Sequence, residues 1–202
     1  MDFVKEFATF LHEKGAIKFG DFTLSSGKKS SYYVDLRMVA SFPHQFRKMI
    51  KHLQNQIIEK VGLENFDYIV SIPTGGLVIA SSLAFEIVKP LIYVRNKPKE
   101  YGTSKSIEGF IEPGKKVLMI DDVATTGGSI INAIESLKEA GIIASDSFVI
   151  INRMEGAAES LEAKGVKMHQ LTDIFEITKI LHEQNLVSND VLESVSKQTG
   201  SK

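Results

Sequence analysis

The sequence predicts an α/β fold with a central, mostly parallel sheet flanked by helices and preceded by a small N-terminal unit. Three observations carry this expectation. From residue 66 onward, short continuous apolar runs alternate with helix-like stretches. That alternation marks strands buried on both faces and joined by helical crossovers. The segment before residue 40 has a different texture, with short runs broken by glycine, serine and lysine. Third, three of the later apolar runs end in chemically unusual residues, and in parallel sheets ligands sit beyond the carboxyl ends of the strands.

Taken in order, Phe3, Phe7, Phe10 and Leu11 recur at helical spacing, predicting an opening amphipathic helix that Gly15 ends. Residues 16–36 read as short strands around turns. A long helix follows, with Phe46, Met49, Ile50, Leu53 and Ile57 on one face. Apolar runs then fall at 68–72, 77–88, 91–94, 117–120 and 148–151, with a helix expected over 129–141. Thr172-Asp173 is a helix start signal, so a last strand near 167–171 is followed by a helix through IFEITKILHEQ. Between Val94 and Val117 lies a polar stretch of roughly twenty residues without periodicity, a length more often found in functional lids than in filler.

The bulk properties narrow the function classes. The 202 residues suit one domain, taken as residues 1–202. A hydrophobic fraction of 43% and a charged fraction of 24% are ordinary for a core-forming protein. Net charge is −1, so no overall field recruits nucleic acid and any anion site must be built locally. The chain has no cysteine, which excludes disulfides and thiolate metal sites and fits a reducing, cytoplasmic setting. No apolar run reaches the ~20 residues that span a bilayer, and the acidic opening is not a signal peptide. Neither a nucleic acid nor a membrane is expected as a partner. The five histidines show no ligand spacing.

The most informative segment is VLMIDDVATTGGSI, residues 117–130. A buried strand is expected to end at Ile120 in two adjacent carboxylates, Asp121 and Asp122. After Val123 and Ala124 come Thr125, Thr126, Gly127, Gly128 and Ser129, leading into a helix. Glycines let successive N–H groups turn inward, and hydroxyls with a helix N-terminus complete a cradle for a phosphate. The turn holds no lysine, unlike the phosphate loop of nucleotide hydrolases, so it suits a monophosphate. Carboxylates accept hydrogen bonds from vicinal ribose hydroxyls. Thr-Thr-Gly-Gly alone reads as a plain turn, and Asp-Asp alone as a solvated strand end; the combination at a strand end is what points to a site. Paired aspartates also occur in response-regulator pockets, but there they follow the first strand. No GxGxxG follows a strand, so a dinucleotide fold has no support.

VLMIDDVATTGGS resembles the motif that binds phosphoribosyl pyrophosphate (PRPP) in type I phosphoribosyltransferases. FGDFTLSSGKKSSYYVD, residues 19–35, resembles the orotate phosphoribosyltransferase signature F-x-L-x-S-G-x-x-S-x-Y, here followed by Asp35. YVRNKPKEYGTSKSIEG, residues 93–109, is similar to that family's mobile lid, and INRMEG, residues 151–156, to its base-binding segment. The resemblance implies the type I phosphoribosyltransferase fold with a small N-terminal hood, mainly residues 1–40, and a lid over 95–109. It implies Mg-dependent transfer of ribose 5-phosphate from PRPP to orotate, a step of pyrimidine biosynthesis. Lys99, Asp121 and Asp122 would be catalytic. PRPP would be bound by Arg95, Lys97, Lys99, Tyr101 and residues 121–129, and orotate by Thr125, Arg153 and Tyr33. Mg2+ would be held mainly by PRPP and water rather than by a protein cage. The family's homodimer, with the lid reaching the neighbouring subunit's site, is implied as well.

Three departures from the family pattern stand out. Many bacterial members carry a lysine at the positions of Ser25 and Gly75, both uncharged here, which shifts the pyrophosphate onto Arg95, Lys97 and Lys99. Tyr101 replaces the lid histidine, and the lid lysine after the arginine is Asn96, with Lys97 next to it. Two rival readings remain at this level: the same fold acting on a purine or uracil, and a PRPP-sensing regulator that binds nucleic acid without catalysis. In isolation, Arg95, Lys97 and Lys99 read as a solvated cluster, Arg153 as a surface residue, and Tyr32 and Tyr33 as core and rim of a strand.

Overall fold

The computed structural model describes residues 3–23, 27–95 and 106–201. The expected opening helix is α1 (Phe3–Glu13), which buries Phe7, Phe10 and Leu11. A hairpin follows, β1 (Ile17–Thr23) and β2 (Lys29–Val34), paired antiparallel as a separate two-stranded sheet. Its register shifts between Phe19 and Phe22, a bulge that re-aims the side chains beyond it. A 3₁₀ turn at Arg37–Ser41 leads to α2 (Pro43–Lys60), with proline at its start, where the missing N–H costs nothing. The helix buries Met49, Ile50, Leu53 and Ile57, the face anticipated from spacing.

The main sheet is built from β3 (Tyr68–Ser71), β4 (Leu91–Val94), β5 (Ile107–Glu108), β6 (Lys116–Ala124), β7 (Ile143–Asn152) and β8 (Lys167–Asp173). The strand order is β5-β4-β3-β6-β7-β8, parallel throughout except for the antiparallel β4–β5 pair. α3 (Gly75–Glu86) follows β3, α4 (Gly128–Glu139) follows β6, and the short α5 (Ala157–Glu162) follows β7. α6 (Ile174–Glu183) and α7 (Asn189–Thr199) close the chain.

Alternation along the strands separates the two cores. Ile69, Leu118, Ile120, Phe148 and Ile150 pack with α1, α2 and α6 on one face. Val70, Val117, Met119 and Val149 pack with α4 and α5 on the other. Because β4 lies on one side of β3 and β6 on the other, the winding order of the parallel strands reverses between β3 and β6. A crevice opens at such a switch point.

Four elements depart from the sequence expectation. The strand predicted to end at Ile120 continues to Ala124, because β7 runs on beside it: Asp121 pairs with Val149, Val123 with Ile151 and Ala124 with Asn152. The polar stretch after Val94 contains β5, an edge strand too short to show periodicity. α5 and α7 were not anticipated, since their apolar residues are few and their stability comes from packing. Thr172-Asp173 does start α6: Asp173 Oδ1 accepts from Glu176 N at 2.8 Å, a cap worth about 1 kcal/mol. Among the described residues, no helix is long and apolar enough to cross a membrane.

Candidate active site at the β3–β6 switch point

Pairing between β3 and β6 ends at Ser71 and Ile120. Ser71 Oγ donates to the Ile120 carbonyl at 2.7 Å, closing the crevice floor just before the two acids. Asp121 and Asp122 are therefore strand residues, held in register by β7 and open toward the β3 side. Asp122 N donates to Asp121 Oδ1 at 2.9 Å, and Val123 N to Asp122 Oδ1 at 2.9 Å. Both carboxylates accept backbone N–H groups and are fixed in direction.

The loop after β3 and the first residues of α3, Gly75 and Gly76, cover them closely. A Cβ on Gly76 would lie 2.5 Å from Asp121 Oδ1 and 2.8 Å from Ser71 Oγ. A Cβ on Gly75 would lie 1.9 Å from Asp122 Oδ2. Only glycine lets the loop approach so near. The peptide between Pro73 and Thr74 in this loop is cis. Desolvation beneath the loop, and next the negative charge of Asp122, push the Asp121 carboxyl well above the usual carboxylate range.

Val123 and Ala124 complete β6, and the Ala124 carbonyl accepts from Arg153 N at 2.9 Å. The turn thus starts at Thr125. Gly127 takes a left-handed conformation (φ 80°) at the start of α4, where no side chain caps the helix. A Cβ there would meet Ala157 at 3.4 Å, an ordinary contact, so the positive φ is the reason for glycine. An uncapped helix N-terminus presents N–H donors and a positive dipole end to an anion.

A cavity of about 820 Å³ lies between this turn and the N-terminal hairpin. Thr125, Thr126 and Arg153 line one wall; Tyr33, Phe22 and Lys18 line another. Lys18 pairs with Tyr33 in the hairpin register, so both side chains share the cavity face. Tyr33 is 37% exposed, its ring 5.9 Å from that of Phe22, while Tyr32 points the other way and is fully buried. The core-and-rim split of the two tyrosines is the strand alternation at work.

Arg153 is 6% exposed, not the surface residue that position alone suggests. Its guanidinium stacks 4.7 Å from the Tyr32 ring centre, pairs with Glu155 at 2.9 Å and donates from Nη2 to Ser30 Oγ at 3.1 Å. Among the described residues, its Nε is buried with no acceptor. Tyr32 returns the contact by donating from its hydroxyl to the Arg153 carbonyl at 3.0 Å.

Lys28, Arg37 and Glu155 also border the cavity, and the sequence reading assigned them nothing. Arg37 is held by Asp35 through Nη2 at 2.7 Å and Nε at 2.8 Å, which keeps the Asp35 carboxyl below its usual range. Strand alternation in the hairpin was the available signal for Lys18 and Phe22. For Arg37 and Glu155 there was none.

The residues flanking 96–105 are joined to each other. Arg95 N donates to the Ser106 carbonyl at 2.8 Å, and Arg95 Nε to Glu108 Oε1 at 2.7 Å. A smaller cavity, about 300 Å³, sets Arg95 beside Ser129 and Asn132 of α4. Lys97, Lys99 and Tyr101, like Asn96 and Ser25, lie outside the described residues. Elsewhere, a cavity of about 860 Å³ between α1 and the start of α2 holds Phe10, Phe42 and Pro43. None of the strand-end groups reaches it.

Residues 43–182 match the family described as phosphoribosyl transferase domain. An orotate phosphoribosyltransferase of Cenarchaeum symbiosum is 53% identical over 199 residues, covering 98% of this chain and 100% of that protein. The crystal structure of orotate phosphoribosyltransferase from Aeropyrum pernix superposes with a TM-score of 0.76 at 34% identity, covering 90% of this chain and 99% of that one. The structure of Leishmania donovani UMP synthase superposes with a TM-score of 0.84 at 29% identity; it covers 97% of this chain, which spans only 42% of that longer protein. With its acids, cradle and cavity on a mostly parallel sheet, this chain belongs to the type I phosphoribosyltransferases, within the orotate phosphoribosyltransferase family.

Proposed function

We propose that the chain transfers the ribose 5-phosphate group of PRPP to N1 of orotate, releasing pyrophosphate and orotidine 5'-monophosphate in pyrimidine biosynthesis. The observation that carries this reading is convergence. Thr125, Thr126 and the buried Arg153 line one cavity, and the strand that feeds it, β6, carries the paired acids just before the turn into the uncapped start of α4.

In this reading the 5-phosphate rests on the N–H groups of residues 125–129, and Asp121 and Asp122 accept from the ribose hydroxyls. The bond from the anomeric carbon to the pyrophosphate oxygen breaks as the bond to N1 forms, and N1 gives up its proton. Positive charge developing on the sugar lies near two carboxylates, a stabilisation that is stronger in the transition state than in the ground state. Arg153 receives the carboxylate of orotate while Tyr33 and Phe22 face its ring. A buried guanidinium favours an anionic base over uracil or a purine. Arg95, Lys97 and Lys99 neutralise the departing pyrophosphate with Tyr101 as a hydrogen-bond donor, and lid closure excludes water.

Mg2+ fits the donors present. Among the described residues no group of three or more His, Cys, Asp or Glu could cage a metal. Two adjacent carboxylates at a strand end suit a hydrated cation that takes most of its ligands from substrate and water. When bound, it supplies charge neutralisation to the pyrophosphate.

A homodimer with lids shared between subunits belongs to the same reading. It is supported by α3, which leaves Val78 43% and Phe85 86% exposed, with Val88 beyond it 89% exposed. The cysteine-free chain is consistent with action in the cytoplasm. The deciding experiment is orotate-dependent pyrophosphate release from PRPP with Mg2+ present and absent. Release with adenine or uracil but not orotate would overturn the base assignment, and none with any base would overturn the reaction.

A further inference from the structure

We infer that Gln198, on the C-terminal helix α7, is a positioning residue for the arginine that receives the base. The inference rests on the orotate reading above and adds to it an element that never touches substrate. α7 is anchored by fully buried Val195 and lies across β2. Gln198 Oε1 accepts from Ser31 N at 2.8 Å and from Ser31 Oγ at 2.9 Å. That backbone donor settles which end of the amide is oxygen, so Nε2 faces the other way and donates to Ser30 Oγ at 3.2 Å.

Ser30 is the node. Its hydroxyl, 4% exposed, donates to the Tyr32 carbonyl at 2.7 Å and accepts from Arg153 Nη2 at 3.1 Å. A serine hydroxyl has one proton and two lone pairs. The Tyr32 carbonyl takes the proton, and Gln198, Arg153 and, at 3.4 Å, the Tyr32 N–H share the lone pairs. The Gln198 donor therefore helps hold the Ser30 hydroxyl in the place where it accepts from Arg153 Nη2. Opposing Ser30 is Glu155, which pulls the same guanidinium from 2.9 Å. Gln198 thus sets the balance between the resident carboxylate and an incoming one, and it does so on the base side of the crevice alone.

The test is steady-state kinetics on the full chain, varying orotate and PRPP separately, for wild type, Gln198→Ala and Gln198→Glu. The glutamate keeps the acceptor for Ser31, and so the docking of α7, but cannot donate to Ser30. The alanine lacks the donor without adding charge. Both variants are expected to raise the orotate KM about fivefold while kcat and the PRPP KM stay within about twofold, the size of one lost hydrogen bond. Melting temperature should stay near wild type for the glutamate variant. An unchanged orotate KM in either variant, or equal damage to PRPP KM and kcat, overturns the positioning role. A wild type that releases no pyrophosphate with orotate sinks the base assignment and this inference together. An active wild type with unaffected variants sinks the inference alone.

Discussion

The Gly75 backbone stands so close to Asp122 that a Cβ there would lie 1.9 Å from the carboxylate Oδ2. The contact gives a physical account of one departure from the family pattern. With Asp122 in this orientation, a side chain at residue 75 has no room, and lysine cannot be added without moving the acid. Gly75→Lys is therefore expected to impair this chain rather than improve it. PRPP KM should rise at least about tenfold, the factor that 1.4 kcal/mol represents. Wild-type PRPP kinetics in the variant would show that the acid is free to move aside.

Asp122→Asn keeps the shape and removes the charge facing the sugar. The loss of one preorganised electrostatic group predicts a fall of roughly a hundredfold in kcat/KM for PRPP. The far-ultraviolet circular dichroism should not change. Equal kinetics in mutant and wild type would take Asp122 out of the site.

Lys99→Ala tests the lid. Turnover should fall strongly while the melting temperature holds, because the proposal gives Lys99 a role on the leaving group and none in the core. A purified variant with unchanged turnover would count against placing this lysine on the leaving group.

Arg153→Ala combines two effects that separate measurements can split. Orotate KM should rise by more than the tenfold that about 1.4 kcal/mol corresponds to. Stability should fall by about 3 kcal/mol, because Glu155 is left in a nearly closed environment without its cation. Adding Glu155→Gln to this variant should restore much of the stability and none of the orotate binding. Restored orotate binding would mean that Glu155, not Arg153, governs the base.

Tyr32 yields a pH prediction. Burial is the main cause pushing its hydroxyl from 10.0 up to about 12 in the folded chain; Arg153 pulls the other way, and Glu155 adds to the rise. In the unfolded chain the group ionises near 10.0, so above that pH the unfolded state gains what the folded state does not. The stabilising contribution is whole below pH 10.0 and is lost as pH climbs to about 12. The melting temperature of wild type should drop more steeply over that interval than that of Tyr32→Phe. Parallel curves would mean the hydroxyl does not titrate differently on folding.

Residue order alone determined the α/β class, the buried strands, the opening helix, the long amphipathic helix and the cap at Asp173. Each is a local matter, since apolar spacing of 3.6 or continuous β-branched runs select the element before any partner is chosen. Asp121 through Ser129 were legible as a candidate site because the acids, hydroxyls and glycines are contiguous in sequence.

What only the tertiary structure decided is everything that depends on which segments become neighbours. The extension of β6 past Ile120 exists because β7 runs beside it, a register no single strand can announce. The clearance over Asp122 is set by Gly75, the first residue of α3, 47 residues earlier in the chain. Arg153 changed from a presumed surface cation to a buried one because Tyr32, Ser30 and Glu155 enclose it, and α7 joined that cluster from the far end of the chain. Polar contacts across such separations leave no periodicity, because they are single points in space, and only folding brings them within hydrogen-bond reach.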